Sequence, residues 1–535
     1  MSSTMKPTQF PSKVNFQTKV YRPLPHTVGL MDWEKVDAEA AAHEVLGQLS
    51  VALDGADPLA VASLFRAAGC HWRDTLALTA HLRTFNGHGA VTSTLGELHQ
   101  KRGIHEISFK SAMVLGIEDK VVGPNPPATA NGTTNPARKK WVNSEFTFRT
   151  KSPRAFCKGI ILGLILGARL KALGVEFVII EKNAKAGDNW ARRYDCMRFH
   201  VYKSSCETPY LPYPEDTGSS LTRSELSAQM SRFAEEFDLN ARVLYESRPE
   251  STSYHEDRKI WESQIACSGG ERQVTAKFLV LAHGAGYAGR YIPDIPGVDL
   301  FRGSVLHSVD FQNAKELAVN GTRSVIVVGS ANTAFDIMGD CYKAGLGTTM
   351  VQRSETYVVP MTCFRHPVGL GVYDHVAAET GDAIVHGSPL AVGGPLLARI
   401  HAMQSEAEPS GVTPVAYTSE GLELSDGTSL SADAIVWCTG FGSGDGRKGI
   451  AQALGRGSEA IANKMELIWG VDAEGETRGL YKRQEHQSNV WVLAGGTTAQ
   501  RWYSKAITLQ IKGLLEGILP DAYRETPTSA GTLAA

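Results

Sequence analysis

Five short apolar runs recur along the last two thirds of the chain: "VEFVIIE", "KFLVLAHG", "SVIVVGS", "DAIVWCTG" and "NVWVLAGG". Four of them run directly into a glycine. A strand that is apolar at nearly every residue is covered on both faces. Such strands, interleaved with helical segments, imply parallel sheets with helices on either side. At 535 residues the chain is too long for one core, so two to four domains are expected.

The clearest unit is "SVIVVGSANTAFDIMGDCYKAG", which reads as strand, tight turn and helix. Gly329, Ala331 and Ala334 occupy the three positions of the pattern GxGxxG/A. The first position permits the turn, the second lets backbone approach a diphosphate, and the third lets the helix pack on the strand. Backbone N–H groups of Ser330, Ala331, Asn332 and Thr333 then face a phosphate at a helix N-terminus. Ala331 departs from glycine by one methyl. In the next strand, "TTMVQRSETYVVP", Arg353 and Ser354 stand where an NAD-binding chain places an acid. That pair suits the 2′-phosphate of NADPH. A surface arginine in an α/β fold without a ligand is the competing reading.

Another unit of this kind, the first in chain order, lies upstream in "RAFCKGIILGLILGARLKALGVEFVIIEKN". Its uninterrupted apolar part, 159–168, is half of the roughly 20 residues a membrane-spanning helix needs, and Arg169 and Lys171 then break it. A helix ending near Gly174 followed by a strand ending in Glu181 and Lys182 fits better. Gly163 lies 18 positions before Glu181, where the third glycine of a dinucleotide fingerprint belongs, and Glu181 is placed to accept from the adenosine ribose of FAD. The first and second glycine positions, however, hold Lys158 and Ile160. A packing helix in an α/β domain without cofactor therefore remains open.

Other classes find little support. A formal net charge of −2 gives no reason to expect nucleic acid or an acidic membrane surface. Eight scattered cysteines without a CxxC pair read as reduced thiols inside a cell, and a cytoplasmic location is expected. The N-terminus lacks the apolar core of a secretory signal.

Residues 152–515 resemble the flavin-containing monooxygenase family, including its fungal and plant indole-pyruvate-type members. "GARLKALGVEFVIIEKNAKAGDNWARRYDCMRFH" is similar to the family's first FAD segment, with Gly187 and Trp190 in its Gly-x-x-Trp turn. "FRGSVLHSVDF" matches the fingerprint FxGxxxHxxx(Y/F) through Phe301, Gly303, His307 and Phe311, without the Trp-Pro ending of the Baeyer–Villiger version. "LAHGAG", with Gly284, and "WCTGF", with Thr439 and Gly440, resemble the two turns that join strands to interdomain linkers. "VWVLAGGTTAQRWYSKAITLQIKG" looks like the closing flavin segment, in which Gly495 and Gly496 would approach the flavin and Arg501, Trp502, Tyr503 and Lys505 would line its neighbourhood. The missing glycines around residue 160 are the departure from the family.

The resemblance implies an α/β fold of two Rossmann-like dinucleotide-binding domains, the NADPH domain inserted in the FAD domain, with a small N-terminal α+β domain. The expected layout is 1–122 for the N-terminal domain, 123–151 for a linker rich in Pro, Asn, Thr and Gly, 152–320 and 431–535 for the FAD domain, and 321–430 for the NADPH domain. Residues 53–90 resemble part of the cone-shaped fold of nuclear transport factor and ketosteroid isomerase, in which His71, Arg73 and Asp74 could mark an ancestral pocket but are more often core and rim residues, and strands to complete the cone are hard to find between 100 and 150. The resemblance further implies a monooxygenase that uses FAD, NADPH and dioxygen, and passes one oxygen atom to a small organic substrate through a flavin peroxide adduct. His307 is the expected catalytic side chain, for interdomain geometry. A relative that no longer catalyses, and a Baeyer–Villiger enzyme acting on ketones, are the alternatives.

Overall fold

The computed structural model describes residues 37–55, 57–65, 70–118, 138–150, 163–282, 289–354, 356, 411–441, 446–468 and 476–524. Lys158, Ile160 and Gly284 lie outside them. The fold is mixed α/β.

The N-terminal unit opens with the helices Ala38–Asp54 and Pro58–Ser63. Asp37 and Asp57 cap them by accepting from the first-turn amides, and Pro58 sits where its missing N–H costs nothing. The short antiparallel pair His71–Thr75 and Leu82–Asn86 follows, then the helix His88–Arg102. The strands Ile104–Glu118 and Arg138–Thr150 form a long antiparallel pair. That pair corrects the sequence reading twice. Strands are present between 100 and 150, and residues 138–150, expected as linker, are one of them. The run "ARKKWVNSEFTFRT" carries β-branched and aromatic residues after a proline-rich stretch, and the latter's composition masked the strand.

The second unit is a four-stranded parallel sheet in the order Ser304–His307, Ala434–Trp437, Ser324–Val328, Gly347–Val351. Alternate side chains serve different cores, as the two-residue repeat of a strand requires. Val325, Val327, Ala434 and Val436 face the helix Asn332–Lys343 through Ala334, Ile337 and Cys341. Ile326, Val328, Ile435 and Trp437 face Tyr417, Leu422 and Leu424 of a small antiparallel sheet. Burial on both faces is why these strands carry no polar alternation. The strands 304–307 and 434–437 lie beyond the expected limits of the NADPH domain at 321 and 430, yet hydrogen-bond within this sheet.

The first unit contributes two parallel two-stranded ladders, Ile179–Ile180 with Val243–Leu244 and Leu279–Leu281 with Val490–Val492. The helices Gly163–Ala172 and Thr497–Leu515 pack together over Trp491, Leu493 and Ile507. At the end of the shorter helix Gly174 takes φ +67°, its N–H bonds the Lys171 carbonyl and Val175 N–H bonds that of Leu170. This is the Schellman closure its position implied. Ten residues cannot cross a bilayer, and among the described residues no helix is long and apolar enough to do so.

The two units share one core. Tyr194, Met197, Leu221 and Leu226 pack in the same cluster as Val325, Val327 and Ala334.

Candidate functional site

The edge formed by the C-terminal ends of the four parallel strands gathers the nucleotide-type residues. Gly329 follows Val328 at φ +120°, and a Cβ there would stand 2.5 Å from the Cys438 carbonyl oxygen. Only glycine relieves both constraints. Its N–H bonds the Val351 carbonyl at 2.9 Å, which pins the turn to the neighbouring strand. Ser330 and Ala331 carry the chain to Asn332 and Thr333, which begin the helix, and no side chain caps that end. Its first-turn amides and the positive end of the helix dipole therefore face outward at an exposed turn, a geometry suited to a phosphate.

Arg353 and Ser354 lie at the same edge. Val328 pairs with Val351, so Gly329 and Arg353 follow matched positions of adjacent strands. Arg353 is exposed, and its carbonyl accepts from Gly411 N–H.

His307 is at this edge too, paired in register with Trp437, but it is buried at 2% exposure. Its Nε2 lies 2.9 Å from the Gly440 carbonyl, and Nδ1 accepts from Val309 N–H at 3.2 Å. Nε2 is thus the protonated nitrogen, and burial pushes the imidazole pKa down. With both nitrogens committed to backbone, His307 holds the turn at Gly440 and is not poised to exchange a proton with a substrate. His307, expected as the catalytic side chain for interdomain geometry, is thus placed as a clamp on the backbone of this edge. Thr439 Oγ bonds the Tyr291 carbonyl and Tyr291 N–H bonds that of Gly440, so segments 289–291 and 439–441 cross at this point.

The other fingerprint residues seat the same strand. Phe301 packs with Tyr417 on one face of the sheet, and Phe311 is buried on the opposite face. A Cβ at Gly303 would meet the Asp433 carbonyl oxygen at 2.2 Å.

In the first unit Glu181 ends its strand, and its Oε1 accepts from Asn183 N–H at 2.8 Å and Nδ2 at 2.6 Å. Lys182 beside it is exposed. Gly187 has φ +91°, and a Cβ would strike the Ser227 carbonyl oxygen of the capped helix Arg223–Glu236 at 2.4 Å. Trp190 meets Phe199 edge to face at 5.6 Å. Gly163 is the first described residue of its helix. At the chain's other end Gly495 takes φ +98° and Gly496 precedes the helix Thr497–Leu515 without a side-chain cap. Of the neighbours expected at the flavin, Arg501 is buried and bonds the Glu207 carbonyl at 2.6 Å, and Tyr503 is buried in a stack with Tyr481.

Asp336 was missed from sequence. It accepts from Tyr194 Oη at 2.9 Å and pairs with His200 Nε2 at 3.1 Å, tying the first unit to the helix of the second. Its signal was its place one helical turn after Asn332, on the face that carries Asp340.

Residues 161–361 match the family described as pyridine nucleotide-disulphide oxidoreductase. The chain is 28% identical over 208 residues to the probable indole-3-pyruvate monooxygenase YUCCA3 of Arabidopsis thaliana, covering 38% of this chain and 46% of that protein. It is 30% identical over 204 residues to YUCCA7 of the same plant, covering 37% and 46%. The chain thus spans about half the length of the curated relatives it matches. A solved flavin-containing monooxygenase from Stenotrophomonas maltophilia is similar at a TM-score of 0.46 and 20% identity, over 65% of this chain and 94% of that one. The sequence likenesses are thus to an oxidoreductase family and to indole-3-pyruvate monooxygenases, over the matched residues alone.

Proposed function

We propose that this chain is an NADPH- and FAD-using monooxygenase that transfers one oxygen atom of dioxygen to a small organic substrate. The observation that carries the reading is the shared edge of the parallel sheet. It holds a turn that only glycine can make, an uncapped helix end and an exposed arginine two residues past the adjacent strand.

The residues fit NADPH. Ser330, Ala331, Asn332 and Thr333 would hold the diphosphate by backbone amides, and Arg353 with Ser354 would take the 2′-phosphate. For FAD the described residues fit in part. Glu181 stands at the strand end where a ribose diol would be held, and Gly495 and Gly496 form a bare turn before a helix. When bound, the flavin supplies hydride acceptance and dioxygen activation. The protein's share is geometric. His307 fixes Gly440, and Asp336 with His200 and Tyr194 ties the two units, so that the cofactor halves would meet across one rigid seam.

The absence of CxxC argues against a disulfide reductase, and the free cysteines among the described residues support a reducing, cytoplasmic setting. We read the N-terminal unit as a relative of the cone-shaped fold, supported by its helices, hairpin and long antiparallel pair. Lys158 and Ile160 at the first glycine positions favour a second reading, a relative with impaired flavin binding.

The test is a visible spectrum of the purified chain, then NADPH oxidation under air with a panel of keto acids, amines and ketones. A flavin band with NADPH-dependent oxygenated product is expected. A colourless protein that takes up no FAD and oxidises no NADPH would sink the enzyme reading.

A further inference from the structure

Arg73, on the first strand of the N-terminal hairpin, is buried. Its guanidinium makes a bidentate pair with Glu476, Nε to Oε1 at 2.7 Å and Nη2 to Oε2 at 2.8 Å. The two side chains are 3% and 2% exposed, and Thr84 Oγ also bonds Glu476. Nη2 additionally reaches Tyr503 Oη at 2.9 Å. The Tyr503 ring lies parallel to that of Tyr481, with centroids 4.0 Å apart and planes 2° from parallel. Tyr481 Oη donates to the Ala494 carbonyl at 2.6 Å, and a Cβ on Gly495 would come within 2.9 Å of the same oxygen.

Tyr481 sits at φ +67°, a left-handed conformation that a bulky residue adopts only where its surroundings force it. The forcing groups are visible. Its N–H bonds the Val492 carbonyl, its own carbonyl accepts from Gln510, and its ring is held by Tyr503.

A buried ion pair is a poor source of net stability, because desolvating two charges offsets their attraction. Apolar residues of similar volume serve as well. Leu76 and Leu82 already join this face apolarly to Trp491 and Tyr503. What the forked pair adds is direction, since a guanidinium bidentate to one carboxylate has only one way left to point.

The geometry points to the N-terminal unit as a positioning element for the loop Ala494–Gly496, acting through Arg73, Tyr503 and Tyr481. This rests on the flavin reading for what that loop would touch, and stands by itself for what holds the loop. Arg73 is a positioning residue, acting on the loop through the two tyrosines.

The test is amide hydrogen exchange of residues 490–500 in the full chain, for wild type, R73K, R73M/E476Q and Y481F, followed by FAD titration. The double variant strands no buried charge. It is expected to speed exchange at 494–496 about tenfold, the effect of losing one hydrogen bond of ordinary strength. R73K should fall between it and wild type. Y481F removes only the hydroxyl on Ala494, and should loosen the loop equally while residues 71–86 stay protected. Unchanged loop exchange in Y481F, or loosening confined to 71–86 in the double variant, overturns the proposal. A double variant that fails to fold leaves Y481F to decide. FAD affinity should fall in step with loop exchange. A wild-type chain that takes up no FAD counts against the flavin reading alone, and exchange still judges the linkage.

Discussion

The unit at 324–353 and the unit at 163–181 are built from the same parts in a different state of repair. In the unit at 324–353, the first and third positions of the turn have a steric reason. Gly329 lies against Cys438 and Ala334 is fully buried under the sheet, while Arg353 stands two residues past the adjacent strand. In the unit at 163–181, the helix keeps its Schellman end, and a Cβ on Gly167 would meet Phe177 and Ile179. Lys158 and Ile160 stand at the glycine positions upstream. The residues that pack a helix on a strand are thus separable from those that admit a diphosphate. The former report ancestry, and only the latter report cofactor binding.

The comparison breaks most visibly at its glycines. Gly329→Val places a branched side chain at φ +120° against a backbone carbonyl, and should cost about 3 kcal/mol or more in urea unfolding. Gly167→Ala, inside the helix Gly163–Ala172, should stay within about 1 kcal/mol of wild type, because its Cβ would meet only the ends of the Phe177 and Ile179 side chains, at 3.0 and 3.1 Å, which can give way, and alanine favours the helix. Equal costs at the two sites would mean that they are not distinguished by close approach. Next in size, Arg353→Ala should weaken NADPH roughly thirtyfold, about 2 kcal/mol, the worth of a charge-assisted contact. NADH should hardly respond. Equal weakening of both in a fluorescence titration removes Arg353 from the 2′-phosphate. On the first unit's side, K158G/I160G should tighten FAD by about tenfold if bare backbone is what that loop lacks. No change would place the obstacle elsewhere.

The parts legible in the sequence are those with short-range signatures. Buried parallel strands, the Asp57-Pro58 helix start, the Gly174 helix end and the Gly329 turn each announce themselves within a few residues. What stayed hidden depends on partners far along the chain. His307 drew notice because its spacing matched a fingerprint that implied a part in interdomain geometry, and only the positions of Gly440 and Val309 show both nitrogens in use. Arg73 reads as a core, rim or pocket residue alike until Glu476 and Tyr503, some four hundred positions away, are seen beside it. Asp336 drew no notice on a helix whose sequence gives no sign of Tyr194 or His200. The strand 138–150 was lost to the composition of its neighbours, a local signal that misled.

The smallest effect sharpens the account of the sheet edge. His307 accepts a hydrogen bond at Nδ1, which a protonated ring cannot do, and burial holds its pKa below the usual value, with Arg290 adding to the depression and Asp310 opposing it. The unfolded chain takes up this proton near pH 6.5, the native one only at lower pH, so the unfolded state binds more protons in between. Stability contributed by the neutral ring is therefore complete above about pH 7 and lost as pH falls through that window, at no more than about 1.4 kcal/mol per pH unit. His81, pushed down to about 2 by burial and then by Lys482, Arg524, Arg483 and Arg83, destabilises the native state in the same direction. It does so in wild type and variant alike, so it cancels in their difference. His307→Gln keeps a donor and an acceptor but cannot titrate. It should lie within about 1 kcal/mol of wild type at pH 8, with the gap narrowing toward pH 5. Parallel stability curves across that range would show that His307 takes up its proton at the same pH folded and unfolded, and that its Nδ1 is not held as an acceptor by the Val309 amide.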